Sequence, residues 1–288
     1  MIYKLLALNI DGTLIRSNGR LQSSTKEAIE FVQNKDVYVT LVTNRHFQSA
    51  KKLAKALKIQ SLLITHSGSF ISSTLDDPIF VKRIPEERTF NIVQVLENFS
   101  CNIRIIHERF SIGNRKKISS NLISKASLNT ADPLFYPIQF VEYLGETLRD
   151  EPVAAPKMDV FFDDLKERKR VEETIRDAFP EVDVILVNQG KLEIVPKGIS
   201  KATSLQVLGN YLNIKPEEMV VIGSQMDDID MIVEAGLGVA MGNSDFEVKR
   251  SADWITRSNE EDGVAYMVKE HFRKQLRIKF LERIKNEQ

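Results

Sequence analysis

Four short polar segments of the sequence carry residue types that phosphate chemistry uses, and each follows a strand-like run or opens a helix. Their candidate residues are Asn9, Asp11, Gly12 and Thr13; Thr43, Asn44 and Arg45; Lys201; and Ser224, Asp227 and Asp228. Carboxylates suit a hard cation such as Mg²⁺, whereas hydroxyl and backbone N–H groups donate to phosphate oxygens. One lysine offsets the negative charge. The combination indicates metal-assisted chemistry on a phosphate group.

Taken singly, each segment is a weak indication. Asp-Gly after a strand is most often a turn, a threonine there is usually a cap, and a helical lysine is usually solvated. Asp227 and Asp228 also suit a helix N-terminus that binds no ligand. A functional site is favoured because all four segments come at one edge of one predicted sheet, where open parallel sheets bind ligands.

The elements that must position these residues alternate between strand and helix at both ends of the chain. Apolar and β-branched runs predict strands, and apolar residues at helical spacing predict helices. Ser24 and Glu27 have the spacing of a capping box. The predicted elements are strands at 3–8, 37–43, 61–65, 219–223, 237–241 and 253–256, and helices at 24–34, 47–58, 200–211 and 227–235. This order predicts a doubly wound, Rossmann-like parallel sheet.

The middle of the chain follows a different pattern. Its strands, at 103–110 and 158–163, alternate more and suggest antiparallel pairing. Helices are predicted at 86–98, 115–127 and 165–178. We therefore predict an α/β fold whose core domain comprises residues 1–83 and 190–288, with residues 84–189 inserted as a second α/β domain.

Composition excludes several classes of protein. Forty Lys and Arg balance 40 Asp and Glu, which argues against a nucleic-acid or membrane-surface role. The single cysteine, Cys101, cannot form an internal disulfide and favours a reducing compartment. The sequence shows neither a secretory leader nor an apolar run of the roughly 20 residues that a membrane span needs. We expect a cytoplasmic protein that is a monomer or a homodimer.

The segments NIDGTL, TNR, KGISK and IGSQMDDIDM followed by AGLGVAMGN resemble the four motifs of the haloacid dehalogenase superfamily. The likeness is greatest to its Cof-type branch, subfamily IIB, which carries an α/β cap between the second and third motifs. It extends over essentially the whole chain, since the inserted segment lies where that cap belongs. The resemblance implies a Mg²⁺-dependent phosphatase whose partner is a small phosphorylated metabolite, often a sugar phosphate.

The resemblance also implies a role for each motif residue. In the family pattern Asp-x-Asp-Gly-Thr, the first Asp attacks phosphorus and the second is the general acid and base. Asp11 matches that second Asp, Thr43 matches a phosphate-binding hydroxyl, and Lys201 matches the lysine that stabilises the transferring group. Substrate or phosphate contacts are expected from Gly12, Asn44, Arg45 and Asn243, and metal ligands from Asn9, Asp11, Ser224, Asp227 and Asp228.

The site departs from the family pattern at three positions. Asn9 stands where the nucleophilic Asp belongs, Ser224 replaces a metal-binding Asp, and Asp227 stands where the family has Asn. An amide can ligate Mg²⁺ through its oxygen but is a poor nucleophile, so no phospho-enzyme should form at residue 9. Three explanations stay open: an engineered substrate trap, a natural branch that uses metal-activated water, or a phosphatase fold retired to ligand binding.

Three further features have a functional and a structural interpretation. The polar segment 107–117 could recognise a leaving group, but a solvated turn is the commoner explanation of such a segment. His66 follows the third strand, where a structural role is commoner than catalysis. Residues 264–285 predict a basic amphipathic helix, which more often packs on its own domain or a partner subunit than binds a membrane.

Overall fold

The computed structural model describes residues 2–115 and 137–278. Its strands are β1 (Leu5–Leu8), β2 (Tyr38–Leu41), β3 (Leu63–Thr65), β4 (Phe70–Ser72), β5 (Pro78–Val81), β6 (Cys101–Ile106), β7 (Ser111–Asn114), β8 (Ile138–Val141), β9 (Lys157–Phe162), β10 (Val182–Asn188), β11 (Lys191–Pro196), β12 (Met219–Gly223), β13 (Leu237–Ala240) and β14 (Trp254–Ile255). Its α-helices are α1 (Ser23–Gln33), α2 (Phe47–Ala56), α3 (Glu86–Leu96), α4 (Leu144–Asp150), α5 (Leu165–Ala178), α6 (Lys201–Leu212), α7 (Ile229–Glu234), α8 (Phe246–Ser251) and α9 (Gly263–Phe272).

The core sheet has five parallel strands in the order β14-β13-β12-β1-β2. Every residue of β1 is buried, as expected for an apolar strand covered on both faces. A bridge between Val42 and Ile64 connects β2 with β3 in parallel. The chain continues from β1 to β2 on one side and returns as β12 on the other. The carboxyl ends of these three strands therefore meet where the strand order reverses.

Helices cover both faces of the core sheet. Leu6 and Leu8 of β1 share an apolar cluster with residues of α1, α2 and α9. Leu5 and Ala7 point to the opposite face and join a cluster with residues of α6, α7 and α8. The predicted α/β class and Rossmann-like sheet are thus confirmed.

The inserted sheet has the order β10-β11-β9-β6-β7-β8. Its strands β6 and β9 pair antiparallel, as predicted. Alternate residues such as Ile103, Val160 and Ile194 form an apolar cluster with residues of α3, α4 and α5. One face of this sheet is therefore covered by helices, and the opposite face carries the polar residues.

Strand pairing extends the inserted sheet beyond the predicted division at Gly190. β11 pairs antiparallel with both β10 and β9 and ends at Pro196. Gly190, where the domain boundary was predicted, instead lies in the turn of the β10–β11 hairpin. Its N–H donates to Asn188 Oδ1 at 3.0 Å. The division into domains at 1–83, 84–189 and 190–288 otherwise stays a prediction.

Three local expectations were wrong. The predicted strand 103–110 ends at Ile106, and residues 107–110 form the turn to β7. The predicted Ser24–Glu27 capping box is absent, because the Ser24 hydroxyl instead donates to Asp262 Oδ1 at 2.5 Å. The predicted helix 264–285 ends at Phe272, whose buried ring lies 6.1 Å from that of Tyr3. Gln275 follows without helical structure, and its amide bonds both backbone groups of Tyr3. Residues 279–285 and most of the predicted helix 115–127 lie outside the described residues.

Within residues 2–115 and 137–278, none of the helices combines the length and apolarity that crossing a bilayer requires.

Candidate functional site

Asn9 directly follows β1, and its side chain is buried. Its Oδ1 accepts a hydrogen bond from the Ile10 N–H at 2.7 Å, and its Nδ2 donates to Asp228 Oδ2 at 2.8 Å. Both ends of the amide are held, so its orientation is fixed by the network. A neutral group with no basic lone pair occupies the position at which the resemblance implies a nucleophile.

Asp228 is the hub of the site and is completely buried. Its Oδ2 also accepts hydrogen bonds from the N–H groups of Ser224 at 2.8 Å and Gln225 at 2.9 Å. Its Oδ1 accepts from Lys201 Nζ at 2.7 Å. With Asn9, four protein donors satisfy this carboxylate, which is how a buried charge is tolerated.

Lys201 is the first residue of α6, whose N-terminus is capped by Ser200. Its buried ammonium lies 2.9 Å from Asp227 Oδ2 as well as 2.7 Å from Asp228 Oδ1. Burial opposes its charge, but the two carboxylates outweigh burial and raise the pKa of Lys201. Burial raises the pKa of Asp227, as does the charge of Asp228, and both outweigh the lowering effect of Lys201. The three groups therefore act as one charge cluster.

The segment after β2 supplies donors to two of the acids. Asn44 Nδ2 donates to Asp227 Oδ2 at 2.7 Å. The Arg45 guanidinium binds the Asp11 carboxylate with two parallel bonds, Nε to Oδ2 at 2.8 Å and Nη2 to Oδ1 at 2.7 Å. Thr43 Oγ1 is buried and accepts from the Arg45 N–H at 3.2 Å. Such bidentate pairing fixes the direction of the Asp11 carboxylate.

The turn that follows Asn9 depends on glycine. Gly12 has φ of +69°, and a Cβ there would lie 2.7 Å from Ser224 Oγ. The Ser224 hydroxyl donates to Asp11 O at 3.0 Å and accepts from Thr13 Oγ1 at 3.2 Å. Asn243 Nδ2 donates to Gly12 O at 2.9 Å. Only a residue without a side chain fits this close approach of the turn to Ser224.

The structure thus brings the residues of all four motifs into contact at one sheet edge. The roles that the resemblance assigns to them stay predictions. The His66 ring is buried beside that of His46 with a ring separation of 5.0 Å, and the His66 backbone N–H donates to Arg45 O at 3.0 Å. In the predicted recognition segment, Arg109 pairs with Asp76 at 2.6 Å on the surface. Lys116 and Lys117 lie outside the described residues.

Comparison with known sequences decides the family. The sequence profile of the haloacid dehalogenase-like hydrolases matches residues 6–268. The chain belongs to this family. The Cof-type resemblance of the motifs is confirmed with it.

Relatives of this haloacid dehalogenase-like chain span its length. The stress response protein YhaX of Bacillus subtilis is 56% identical over 284 residues, covering 98% of each chain. The 5-amino-6-(5-phospho-D-ribitylamino)uracil phosphatase YcsE of the same organism is 30% identical over 266 residues, covering 92% of this chain and 94% of that one. A solved haloacid dehalogenase-like hydrolase from Bacteroides thetaiotaomicron superposes with a TM-score of 0.80 at 26% identity, covering 93% and 99% of the two chains.

The sequence also held a signal that motif reasoning missed. Charged residues alternate in two otherwise apolar strands of the inserted sheet, Lys157 and Asp159 in β9, and Lys191 and Glu193 in β11. All four are buried. Charges at every second position of a buried strand predict a polar face with partners, since unpaired buried charges are too costly.

The residues of the site do not fit a Mg²⁺ ion. Asn9 and Ser224 bring no charge, and the Ser224 hydroxyl is already bonded to Asp11 O. The Asp11 carboxylate is paired with Arg45, and the carboxylates of Asp227 and Asp228 are both paired with Lys201. Among the described residues, no group of three His, Cys, Asp or Glu side chains could hold a metal. A cation would have to displace an ammonium or guanidinium from its carboxylate.

Millimolar Mg²⁺ is therefore expected to leave the midpoint of thermal unfolding unchanged. The double variant Asn9→Asp/Ser224→Asp should behave differently, because residue 9 would then face Asp228 with two carboxylate oxygens about 3 Å apart. We expect this variant to be less stable without Mg²⁺ and to regain stability as Mg²⁺ is added. Differential scanning fluorimetry at constant ionic strength measures both. If Mg²⁺ stabilised the unmodified chain as much as the double variant, the conclusion that the present residues do not fit Mg²⁺ would be contradicted.

Proposed function

We propose that this chain binds a small phosphorylated metabolite at the site formed by its four motifs, without forming a phospho-aspartate at residue 9. The observation that carries the proposal is the amide of Asn9, which is held between Asp228 and the Ile10 N–H. A carboxylate nucleophile is absent there. The donors that recognise a phosphate group are retained around it.

The retained donors have complementary chemistry. The Thr43 hydroxyl accepts from the Arg45 N–H and keeps its own proton for a phosphate oxygen. Lys201 supplies a buried ammonium. A phosphate dianion would compete with Asp11 for Arg45 and with Asp227 for Lys201, so binding requires an exchange of ion-pair partners. Such an exchange favours a dianion over a neutral ligand.

The relatives support the ligand class. YcsE carries the name of a phosphatase for a phosphoribityl compound, and it matches this chain over most of both lengths. We infer that the ligand here is likewise a phosphate ester of a sugar or polyol. The proposal does not include Mg²⁺, because the residues of the site do not fit that ion. Cytoplasmic location, a monomeric or homodimeric state and the lack of nucleic-acid or membrane partners stay predictions from the sequence.

A second candidate function is hydrolysis at the same site through a nucleophile other than residue 9. The observation that favours it is Asp11, whose side chain keeps 27% exposure while that of Asp228 has none. A carboxylate at the family's general acid and base position can take a proton from water. Arg45 would have to release Asp11 for this step.

The deciding experiment combines binding with phosphate release on a panel of sugar and polyol phosphates. We expect ligand-induced thermal stabilisation without release. Thr43→Val should weaken binding by about tenfold, the loss of one hydrogen bond to a charged group. Thr40→Val is the matched control, since Thr40 lies on β2, three residues before Thr43, and its buried hydroxyl donates to Leu62 O away from the site.

Two outcomes would change the conclusion. Release by the unmodified chain that Asp11→Asn abolishes would establish the second candidate function. Absence of stabilisation by every member of the panel, with Thr43→Val and Thr40→Val behaving alike, would contradict phosphate binding.

A further inference from the structure

Four charged side chains form a buried cluster on the polar face of the inserted sheet. They are Lys157 and Asp159 of β9, and Lys191 and Glu193 of β11. Glu193 lies directly opposite Asp159 in the strand register, so two acids face each other across the ladder. Each of the four is at most 6% exposed. A pair of facing acids is stable here only with cations beside it.

The two lysines supply those cations almost symmetrically. Lys157 Nζ lies 3.1 Å from Asp159 Oδ1 and 3.0 Å from Glu193 Oε1. Lys191 Nζ lies 3.0 Å from Asp159 Oδ2 and 2.6 Å from Glu193 Oε1. Burial opposes the charge of Glu193, but Lys157 and Lys191 outweigh it and lower its pKa. Both lysines therefore pair with the same two acids inside the sheet.

Within the described residues, Lys157 is the one of these two lysines that also donates a hydrogen bond to the core. Lys157 Nζ donates to the backbone oxygen of Asn44 at 2.8 Å. Among the described residues, Lys191 contacts Asp159, Glu193 and the Phe161 ring, all within the inserted sheet. Asn44 in turn donates its side-chain amide to Asp227 at 2.7 Å. Two hydrogen bonds thus connect the inserted sheet to the candidate site.

We propose that Lys157 is a positioning residue of the site, which orients Asn44, and through it Asp227, when the inserted sheet is seated on the core. The Asn44 peptide is held at its carbonyl by Lys157 and at its side chain by Asp227. The Asp227 oxygen that Asn44 binds is the one that also binds Lys201. Seating of the inserted sheet and the arrangement of the charge cluster are therefore one coupled event.

The geometry favours this coupling over a purely structural role for Lys157. A lysine that served only to neutralise Asp159 and Glu193 needs no third partner. Lys157 uses its remaining donor capacity on a backbone carbonyl of the motif itself. A second contact, from the Ser67 hydroxyl to Glu193 Oε2, holds the same cluster against the loop after β3. The cluster is thus docked at two neighbouring core segments.

The test compares Lys157→Met with Lys191→Met in the full-length chain. Both variants remove one cation from the same two acids, so both should lose stability to a similar extent. Hydrogen exchange of a peptide containing residues 43–46 should accelerate about tenfold more in Lys157→Met than in Lys191→Met, because only the first frees the Asn44 carbonyl. Lys157→Arg keeps the charge and should recover part of the protection.

Affinity for inorganic phosphate is the second readout, and this part alone rests on the proposed function. We expect weaker phosphate binding in Lys157→Met than in Lys191→Met. If the unmodified chain binds no phosphate, the proposed function fails while the exchange result still decides the positioning role. Equal exchange of residues 43–46 in the two methionine variants would overturn the proposal. Should Lys157→Met not fold, we expect a partial loss of protection at residues 43–46 in Lys157→Arg and none in Lys191→Arg, and equal protection in these two variants would overturn the proposal.

Discussion

Replacement of Lys201 by methionine is expected to destabilise the fold by about 3–5 kcal/mol at neutral pH, the usual cost of removing one partner of a buried ion pair. The ammonium is 2% exposed and lies within 2.9 Å of Asp227 and 2.7 Å of Asp228. Methionine preserves much of the volume of the side chain. The expected loss of stability therefore measures the cost of leaving two buried carboxylates without a cation.

The pH dependence of this loss identifies its cause. Without Lys201, burial and the charge of Asp228 hold the pKa of Asp227 above that of the unfolded chain. An acid whose folded pKa is raised binds protons more readily in the folded state, so its stability contribution is lost as pH rises through the folded pKa. The difference between the variant and the unmodified chain should accordingly shrink as pH falls. Urea unfolding of both proteins at each pH measures that difference directly.

Lys197→Met is the matched control for Lys201→Met. Lys197 lies four residues earlier and pairs with Asp183 at 2.6 Å, but its side chain is 62% exposed. Exposed ion pairs contribute about 0–1 kcal/mol, because solvent screens them. Similar losses in the two variants, or a Lys201→Met loss that does not change with pH, would contradict the view of Lys201 as the cation of the cluster.

The residues that gather at the site could be predicted because their positions follow from parallel topology alone. Asn9, Thr43 and Ser224 each come just after a strand of the core sheet. Parallel strands end at the same edge, so the sequence order of strand and polar residue implies their neighbourhood. The fold class followed from the same alternation of apolar strands and amphipathic helices.

What the sequence did not reveal is which partner satisfies each charge. Arg45 binds Asp11, and Lys201 binds the two acids after β12, so each carboxylate already has a cationic partner. Pairing of this kind depends on side-chain directions that spacing does not define. The Lys157–Asn44 bond joins residues 113 positions apart, a distance over which spacing gives no information. The pairing of β11 with β9 was not predicted, because the turn at Gly190 resembles a boundary between domains.

The three departures from the family pattern form one consistent set. With aspartate at residue 9, its oxygen would meet Asp228 at the 2.8 Å that now separates an amide donor from an acceptor. Two carboxylates at that distance need a cation or a shared proton between them. Asn9 and Ser224 remove two negative charges, and Asp227 returns one beside Lys201. Each of the three remaining carboxylates thus has a cationic side chain beside it.

Acidification is expected to destabilise the folded chain through a second cluster, formed by His46, His66 and His107. His46 caps α2, with its Nδ1 accepting from the Gln48 N–H, and its Nε2–H donates to His107 O at 2.9 Å. Burial lowers the pKa of His46 to about 4. Burial likewise lowers the pKa of His66, and the nearby His46 adds to that effect. Both rings are therefore neutral in the folded protein at neutral pH.

The sign of the effect follows from these directions. The unfolded chain binds protons at these histidines below about pH 6.5, whereas the folded chain resists them. Their contribution to stability is therefore complete above that pH and is lost as pH falls toward 4. For His46 the loss amounts to about 3 kcal/mol, since each pKa unit corresponds to about 1.4 kcal/mol. Urea unfolding between neutral pH and the acid limit should show this decline.

His46→Asn separates the two roles of this ring. Asparagine keeps a side-chain acceptor for the N-terminus of α2 but does not titrate. The variant should be less stable than the unmodified chain at neutral pH, because the bond to His107 O is lost. Its stability should fall less steeply with acid, so that the two curves converge as pH decreases. Parallel curves would show that the acid sensitivity arises from other groups.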